Sequence, residues 1–370
     1  MTEWIKCQIG DLCNTISDTY KGKDSLVVLV NTSDVLEGKV LNHKTVFNEN
    51  LKGQFKKTFK KNDILYSEIR PANKRFAFID FENTSNYIAS TKLMVLRPND
   101  KVLPRYLFAL LKSNHLISEL QHLAETRSGT FPQITFSSEL SRIPVLLPDK
   151  ETQKKVIDIL SCIEDKIDLN LAINNNLEQQ AIAIFDNMFP DISTAEKAIG
   201  DIIIPKRGKN LLSKNAILGN VPVVAGGLNP STYHNNANTV APVLSISASG
   251  ANAGYVNLWN IPIWSSDSSF IDSSMSNDVY FWYVLLKKRQ NEIYDSQTGS
   301  AQPHIYPQHI AAMPICDLNF NKVSNYTSIV TPIFELIGHN KIENMRLITI
   351  RDALVPKLIS GDLDVSNISL

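Results

Sequence analysis

The octapeptide SGTFPQIT at residues 128–135 has a counterpart, GSAQPHIY, at residues 299–306. The echo extends well beyond these loops. At an offset of 170 residues Pro144 meets Pro314, Ile163 meets Ile333, Asn170 meets Asn340, Asn174 meets Asn344, Leu177 meets Leu347 and Ala183 meets Ala353. Upstream the offset drifts, but Ile9-Gly10-Asp11 matches Ile199-Gly200-Asp201, DILYSEIRPANKRFAF (63–78) resembles PVLSISASGANAGYV (242–256), and RYLFALLKSN (105–114) resembles YFWYVLLKKR (280–289). Two domain-sized copies are not a solenoid of short repeats. They are a divergent tandem duplication, so each half must build the same scaffold with different loops.

Each copy shows one plan: a mixed globular unit, the polar proline loop, a short Pro-containing strand and one long helix. Short β-rich runs such as SLVVLVN, DILYSEI, RFAFIDF and KLMVLRP, broken by Gly, Asn and Asp, predict strands, and residues 104–124 predict one helix. The fold class is α+β. The pattern predicts a helix from Lys150 to Met188, about 58 Å long at 1.5 Å per residue, too long for a small core to wrap. Its apolar positions Val156, Leu160, Ile163 and Ile167, then Asn170 and Asn174, then Leu177, Ala181, Ile184 and Met188 step by alternating threes and fours, as in a coiled-coil seam. The second copy repeats the seam as Val330, Ile333, Ile337, Asn340, Asn344, Leu347, Arg351, Leu354 and Leu358, and Pro332 is expected to mark a helix start or kink. Asn at seam positions costs stability but fixes register, so Asn170, Asn174, Asn340 and Asn344 predict an aligned pair. Duplicated helices related by a pseudo-two-fold axis would run antiparallel with one globular unit at each end. The resulting division is 1–148, first globular domain; 149–189, central helix; 190–318, second globular domain; 319–370, distal helix and tail.

A chain of 370 residues suits two domains, and 43% hydrophobic with 20% charged residues is a globular composition. No window approaches the roughly 18 uninterrupted apolar residues of a membrane span. MTEWIKCQIGD has no basic segment followed by an apolar core, so a cytoplasmic protein is expected. Cys7, Cys13, Cys162 and Cys316 form no CxxC pair, against a disulfide framework or a structural zinc site. The 37 basic and 37 acidic residues cancel. The distribution is uneven, however: Lys52, Lys56, Lys57, Lys60, Lys61, Arg70, Lys74 and Arg75 face only Asp63 and Glu68, and Lys206, Arg207, Lys209 and Lys214 cluster in the second half. Such runs are either solvated faces or nucleic-acid contacts.

The paired units, the loops SGTFPQIT and GSAQPHIY, the segments IPVLLPDKETQKKVIDIL and MPICDLNF, and the Asn-bearing helices ending in RDALVPKLISGDLD resemble the specificity subunit of type I DNA restriction–modification systems. The resemblance implies two target-recognition domains, each a mixed, curled sheet with helices, reading the halves of a bipartite, asymmetric site in double-stranded DNA. An antiparallel pair of coiled-coil helices would space them. It further implies two methyltransferase subunits using S-adenosylmethionine to methylate adenine, and restriction subunits using ATP and Mg2+; none of these cofactors is expected in this chain. Half-sites about 34 Å apart, one turn of duplex, would face the same side. Base edges are read by Arg, Lys, Gln, Asn, Ser and Thr side chains. The loops that would supply them in the first domain hold Arg70, Asn73, Lys74, Arg75, Thr91, Lys92, Arg127, Ser128, Thr130 and Gln133. In the second they hold Lys206, Arg207, Ser247, Ser249, Asn252, Ser265, Ser266, Asp267, Ser300, Gln302 and His304. Each also reads as solvated turn chemistry.

Catalytic motifs are absent. Asn229-Pro230-Ser231-Thr232 lacks the second proline and aromatic of an adenine methyltransferase, no GxGxxG, Walker loop or HExxH occurs, and the seven histidines have no ligand spacing. Base flipping would then fall to a partner. The competing expectation is a non-catalytic protein- or glycan-binding module whose coiled coil serves dimerisation; a metal-free hydrolase is a third.

Overall fold

The computed structural model describes residues 4–49, 53–194, 197–299 and 302–365. The chain is mixed helix and sheet and divides into two compact units, one formed by Met1–Asp165 with Leu347–Leu370 and the other by Lys166–Arg346. Among the described residues no helix is long and apolar enough to cross a membrane.

In the first unit, apolar runs ended by Gly, Asn or Asp become strands, of which Ile64–Ser67 and Phe76–Phe78 are buried on both faces. Cys13–Ile16, Leu93–Pro98, Ile64–Ser67 and Phe76–Phe78 lie side by side in that order as an antiparallel sheet. A second sheet runs Thr45–Phe47, Leu26–Val30, Tyr87–Ser90, Phe55–Lys57, with Tyr87–Ala89 parallel to Val28–Val30. Alternation along the strands splits the core. Leu65, Ala77 and Val95 face Val28, Val30 and Ala89 of the second sheet, whereas Tyr66, Phe76 and Met94 pack with helix Pro104–Leu111, with Val156 and Leu160, and with Val355 and Leu358. The single helix expected over 104–124 is two, Pro104–Leu111 and Asn114–Arg127, because Ser113 turns extended and its hydroxyl accepts from Leu116 N–H at 3.4 Å, starting a new helix.

The second unit repeats this topology. Lys206–Arg207, Ser268–Asp272, Val243–Ser247 and Val256–Trp259 adjoin in that order, antiparallel, and Val221–Val224 lies parallel to Trp264–Ser265 in a smaller sheet. Leu244, Leu258 and Ile271 pack on helix Val279–Lys288, whose residues 279–286 are all buried, and on Phe185, Tyr326 and Phe334.

Both units close in the same manner. Ile5–Gln8 pairs with Pro144–Leu147, and Lys197–Ala198 pairs with Pro314–Ile315. The following Ile-Gly-Asp turns are capped alike: Asp11 accepts from Gln8 N–H and Asp201 from Ala198 N–H, each at 2.9 Å. Both glycines are required by close approach, since a Cβ on Gly10 would lie 3.0 Å from the Ser141 carbonyl oxygen and one on Gly200 3.0 Å from that of Ala311.

The long helices are Lys150–Met188 and Phe320–Ser360. Asp149 and Asn319 cap them, accepting from Thr152 and Lys322 N–H at 2.8 and 3.2 Å. Pro332 therefore does not start the second helix; it lies inside, well past the first turn. Burial of Val323, Tyr326 and Val330 on the preceding turns offsets the one backbone hydrogen bond that proline forfeits. Within the second unit, partner numbers on one helix fall as those on the other rise. Asn170 donates to Asn344 Oδ1 at 2.8 Å and to Glu343 at 2.7 Å, Asn340 donates to Asn174 Oδ1 at 2.8 Å, and the Tyr326 hydroxyl donates to the Ala181 carbonyl at 3.0 Å. All four asparagines are at most 9% exposed, so their amides answer one another instead of water. The amide of Asn170 and then the ammonium of Lys166, 3.2 Å away, hold the Glu343 carboxyl below the usual glutamate range. Toward the sheets the buried stripe shifts by one position, and Phe185 and Phe189 are buried more deeply than the seam residues Ile184 and Met188.

Candidate nucleic-acid interface

The proline loops are zipped onto the loop that follows the middle strand of each unit's main sheet. In the first unit Arg70 N–H donates to the Pro132 carbonyl at 3.1 Å and Ile134 N–H to the Glu68 carbonyl at 2.8 Å, with Ile69 bridged to Gln133. In the second, Gly250 N–H donates to the Pro303 carbonyl at 3.1 Å and Ile305 N–H to the Ala248 carbonyl at 2.9 Å, with Ser249 bridged to His304. This shared backbone bracket explains why the motif recurs. Pro132 and Pro303 lend carbonyls while lacking an N–H that would need a partner.

The bracket in the first unit gathers the residues singled out there. Glu68 N–H donates to the Lys92 carbonyl at 3.0 Å and the Glu68 carboxylate lies 3.6 Å from the Lys92 ammonium, so the Thr91–Lys92 turn adjoins the Arg70 loop. Behind the turn, Lys57 donates to the Thr91 and Leu93 carbonyls at 3.0 and 2.8 Å, and burial pulls its pKa down against the upward pull of Glu68. Gln121, from helix Asn114–Arg127, accepts from Ala72 N–H at 3.0 Å and fixes the tip that carries Asn73. Arg127 is paired with Glu139 at 3.2 Å, Lys74 with Glu37 at 3.6 Å, and Ser128 accepts from Phe131 N–H at 3.2 Å. Arg75 is turned inward, donating to the Ser33 and Val35 carbonyls at 3.0 and 3.3 Å. Arg70, Asn73 and Thr130 are exposed, and Gln133 is half-buried.

In the second unit Asp267 is the hub. One carboxylate oxygen takes the Arg207 guanidinium and the other the Ser249 hydroxyl, while the Asp267 carbonyl accepts from Ala248 N–H at 3.1 Å. Gly208 allows this approach, because a Cβ there would lie 2.5 Å from the Ser265 carbonyl oxygen. Arg207 and Asp267 keep 42% and 33% of their side-chain exposure, leaving the pair accessible. Lys206 and Gln302 are exposed, Asn252 is half-buried, and the His304 ring stacks on Tyr306 at 6.0 Å and 18°. Ser300 lies outside the described residues.

Three of the expected contact residues are not at the surface. Ser247, Ser265 and Ser266 are buried: the Ser265 hydroxyl bonds to Ser268 at 2.8 Å and that of Ser266 accepts from Leu211 N–H at 2.9 Å. The hydroxyls of Ser265 and Ser266 are taken up within the unit, while that of Ser247 is buried without a partner. Sequence reading could not separate them from loop serines, since strands Val243–Ser247 and Ser268–Asp272 carry polar residues on buried faces. It also passed over Phe131 and Tyr306, aromatic rings 49% and 44% exposed inside the two proline loops. Large exposed aromatics in polar loops were the available signal.

Comparison with known proteins points one way. The family model described as type I restriction modification DNA specificity domain matches residues 1–179. The type I restriction enzyme HindI specificity subunit of Haemophilus influenzae is 43% identical over 227 residues, covering 60% of this chain and 49% of that protein. The chain thus spans about half the length of that relative. The MjaIX specificity subunit of Methanocaldococcus jannaschii is 26% identical over 312 residues, covering 73% of this chain and 72% of its own. A crystal structure of a type I restriction–modification system S subunit from M. genitalium superposes with a TM-score of 0.58 at 19% identity, over 99% of this chain and 97% of that one, a likeness of fold. Residues 1–179 are thus similar to the type I restriction–modification DNA specificity domain, and the relatives matched over this chain are described as specificity subunits of such systems.

Proposed function

We propose that this chain is the non-catalytic sequence-reading subunit of a type I restriction–modification complex. Each unit reads one half of a bipartite, asymmetric site in double-stranded DNA, and residues 1–148 and 190–318 bound the two readers. The observation that carries the reading is the duplicated bracket: one backbone device presents Arg70, Asn73, Thr130 and Gln133 in one unit and Ser249, Asn252, Gln302 and His304 in the other. A common scaffold with different exposed donors and acceptors is what two readers of different sequence require. Thr91, Lys92, Lys206 and the paired Arg207 and Asp267 extend the two surfaces.

The long helices, over residues 149–189 and 319–360, act in this reading as an antiparallel coiled-coil spacer related by a pseudo-two-fold axis. The reciprocal asparagine pairs support it, since buried amides penalise other registers. Two methyltransferase subunits, carrying S-adenosylmethionine, dock on the scaffold and methylate adenine; restriction subunits carry ATP and Mg2+. With 37 basic and 37 acidic residues, the free chain lacks the surplus charge that dominates duplex affinity, so it binds DNA weakly without those partners.

The test is methylome sequencing of cells that express this chain with its methyltransferase. A split methylated-adenine motif is expected; methylation with a continuous motif, or none that depends on this chain, overturns the reading. Adding one heptad to both helices should lengthen the spacer between half-motifs and leave the bases unchanged. Unaltered spacing refutes the spacer role.

A further inference from the structure

We infer that Arg70 is the guanine-reading residue of the first unit, from its left-handed backbone and its exposed, unpaired guanidinium. The inference rests on the DNA-reading function proposed above and assigns the chemistry of one position within it.

The backbone brackets make Arg70 and Gly250 structural equivalents, each donating its N–H at 3.1 Å to the carbonyl of the loop proline, Pro132 or Pro303. Both are left-handed, Arg70 at φ 45° and Gly250 at φ 80°. A left-handed position suits glycine and is unfavourable for arginine, whose Cβ crowds the neighbouring carbonyl. A Cβ at Gly250 would meet nothing within 4 Å, so a side chain at this corner of the bracket extends into open space. The second unit thus builds the corner with the unstrained residue, and the first retains arginine at a conformational cost. Strain held at an exposed loop points to use of the side chain.

The surroundings show which use. Of the three arginines in the first unit's candidate loops, Arg75 is committed to the Ser33 and Val35 carbonyls and Arg127 to Glu139. Arg70 is exposed, and its guanidinium has no hydrogen-bonding or ion-pair partner among the described residues. Its five N–H donors in a planar fork match the O6 and N7 acceptors on the major-groove edge of guanine. The main chain from which the side chain springs is pinned by two backbone hydrogen bonds, the zip to Pro132 and the 2.9 Å bond from Asn73 N–H to the Arg70 carbonyl. A phosphate anchor needs no such fixed origin, because a flexible lysine serves as well. A fork that must meet two acceptors at once does need one.

Arg70→Gly separates the two roles of the residue. The full chain, expressed with its methyltransferase, should keep or slightly raise its thermal midpoint, because glycine relieves the left-handed strain. One G·C position in one half-motif should lose its preference by about 10- to 100-fold, the range set by one bidentate pair. The other half-motif should be untouched, and Arg70→Lys, which keeps charge but not the fork, should relax the same position. Arg142→Ala, at an exposed arginine outside the loops, serves as control and should leave the motif intact. An unchanged motif in Arg70→Gly, or methylation reduced equally at all sites as for a phosphate contact, overturns the assignment. So does a fall in thermal midpoint of several degrees, which would make Arg70 structural. Absence of any split motif with the unaltered chain would sink the functional reading itself and is thereby distinguished from failure of this inference.

Discussion

Replacing Phe185 with alanine is expected to destabilise the second unit by about 3–5 kcal/mol. The ring is 0% exposed and lies 5.1 Å from Phe189, 5.5 Å from Phe281 and 5.4 Å from Tyr326, while the Lys288 ammonium sits 5.6 Å from its centroid. Those neighbours come from the residue just past helix Lys150–Met188, from helix Phe320–Ser360 and from helix Val279–Lys288, so the cavity left by truncation cannot close without moving several segments at once. Aromatic pairs add about 0.5–1.5 kcal/mol beyond area burial, and three are lost together. Against a typical stability of about 5–15 kcal/mol, the loss should leave the unit marginal. Phe185→Leu, which refills most of the volume, should recover more than half of it. Denaturant titration with hydrogen exchange checks both, with faster exchange expected across residues 243–286 and little change in the sheets of residues 13–98. A cost below about 1 kcal/mol would mean that the four rings do not act as one cluster.

The same ring marks where sequence reading ends. The helix Lys150–Met188 was legible to the residue, because periodicity over many turns outweighs local ambiguity and Asp149 supplies a cap. The seam was legible only where helix meets helix. Near the sheets, Phe185 and Phe189 replace Ile184 and Met188 as the deepest residues, since a helix packing on a sheet and a second helix buries a broader stripe than a two-helix seam does. The duplication marks the bracketed loops in the sequence but not the reason for them: the Arg70–Pro132 and Gly250–Pro303 bonds join segments far apart in sequence. In the candidate interface, exposure was the quantity that composition could not supply. Ser249 and Ser247 sit two positions apart in one polar run, and only the strand's end decides that the first bonds Asp267 and the second is core. Likewise a basic run reads as free charge, whereas Glu37, Glu68 and Glu139 neutralise Lys74, Lys92 and Arg127 from other segments.

The buried asparagines yield the second large effect, and its sign depends on how many are changed. Asn344→Leu alone removes the acceptor of one Asn170 N–H at 2.8 Å and the donor that reaches the Ile167 carbonyl at 3.3 Å. Buried groups stripped of partners cost about 1–3 kcal/mol each, so a loss of about 2–4 kcal/mol is expected even though leucine is the more apolar residue. Changing Asn170, Asn174, Asn340 and Asn344 to Leu together removes both members of each amide pair. The seam then becomes a run of apolar contacts, and the fourfold variant should equal or exceed the parent in thermal midpoint, as replaced polar clusters often do. What it should lose is uniqueness. Leucine packs acceptably in registers shifted by one heptad, whereas a displaced asparagine is left facing an apolar side chain. If the helices space two readers, the stable variant should methylate sites with more than one spacer length, while the single variant should retain one length at lower yield. A fourfold variant that is stable and still fixed to one spacing would show that register is set elsewhere, with Lys166 and Glu343 the first place to look.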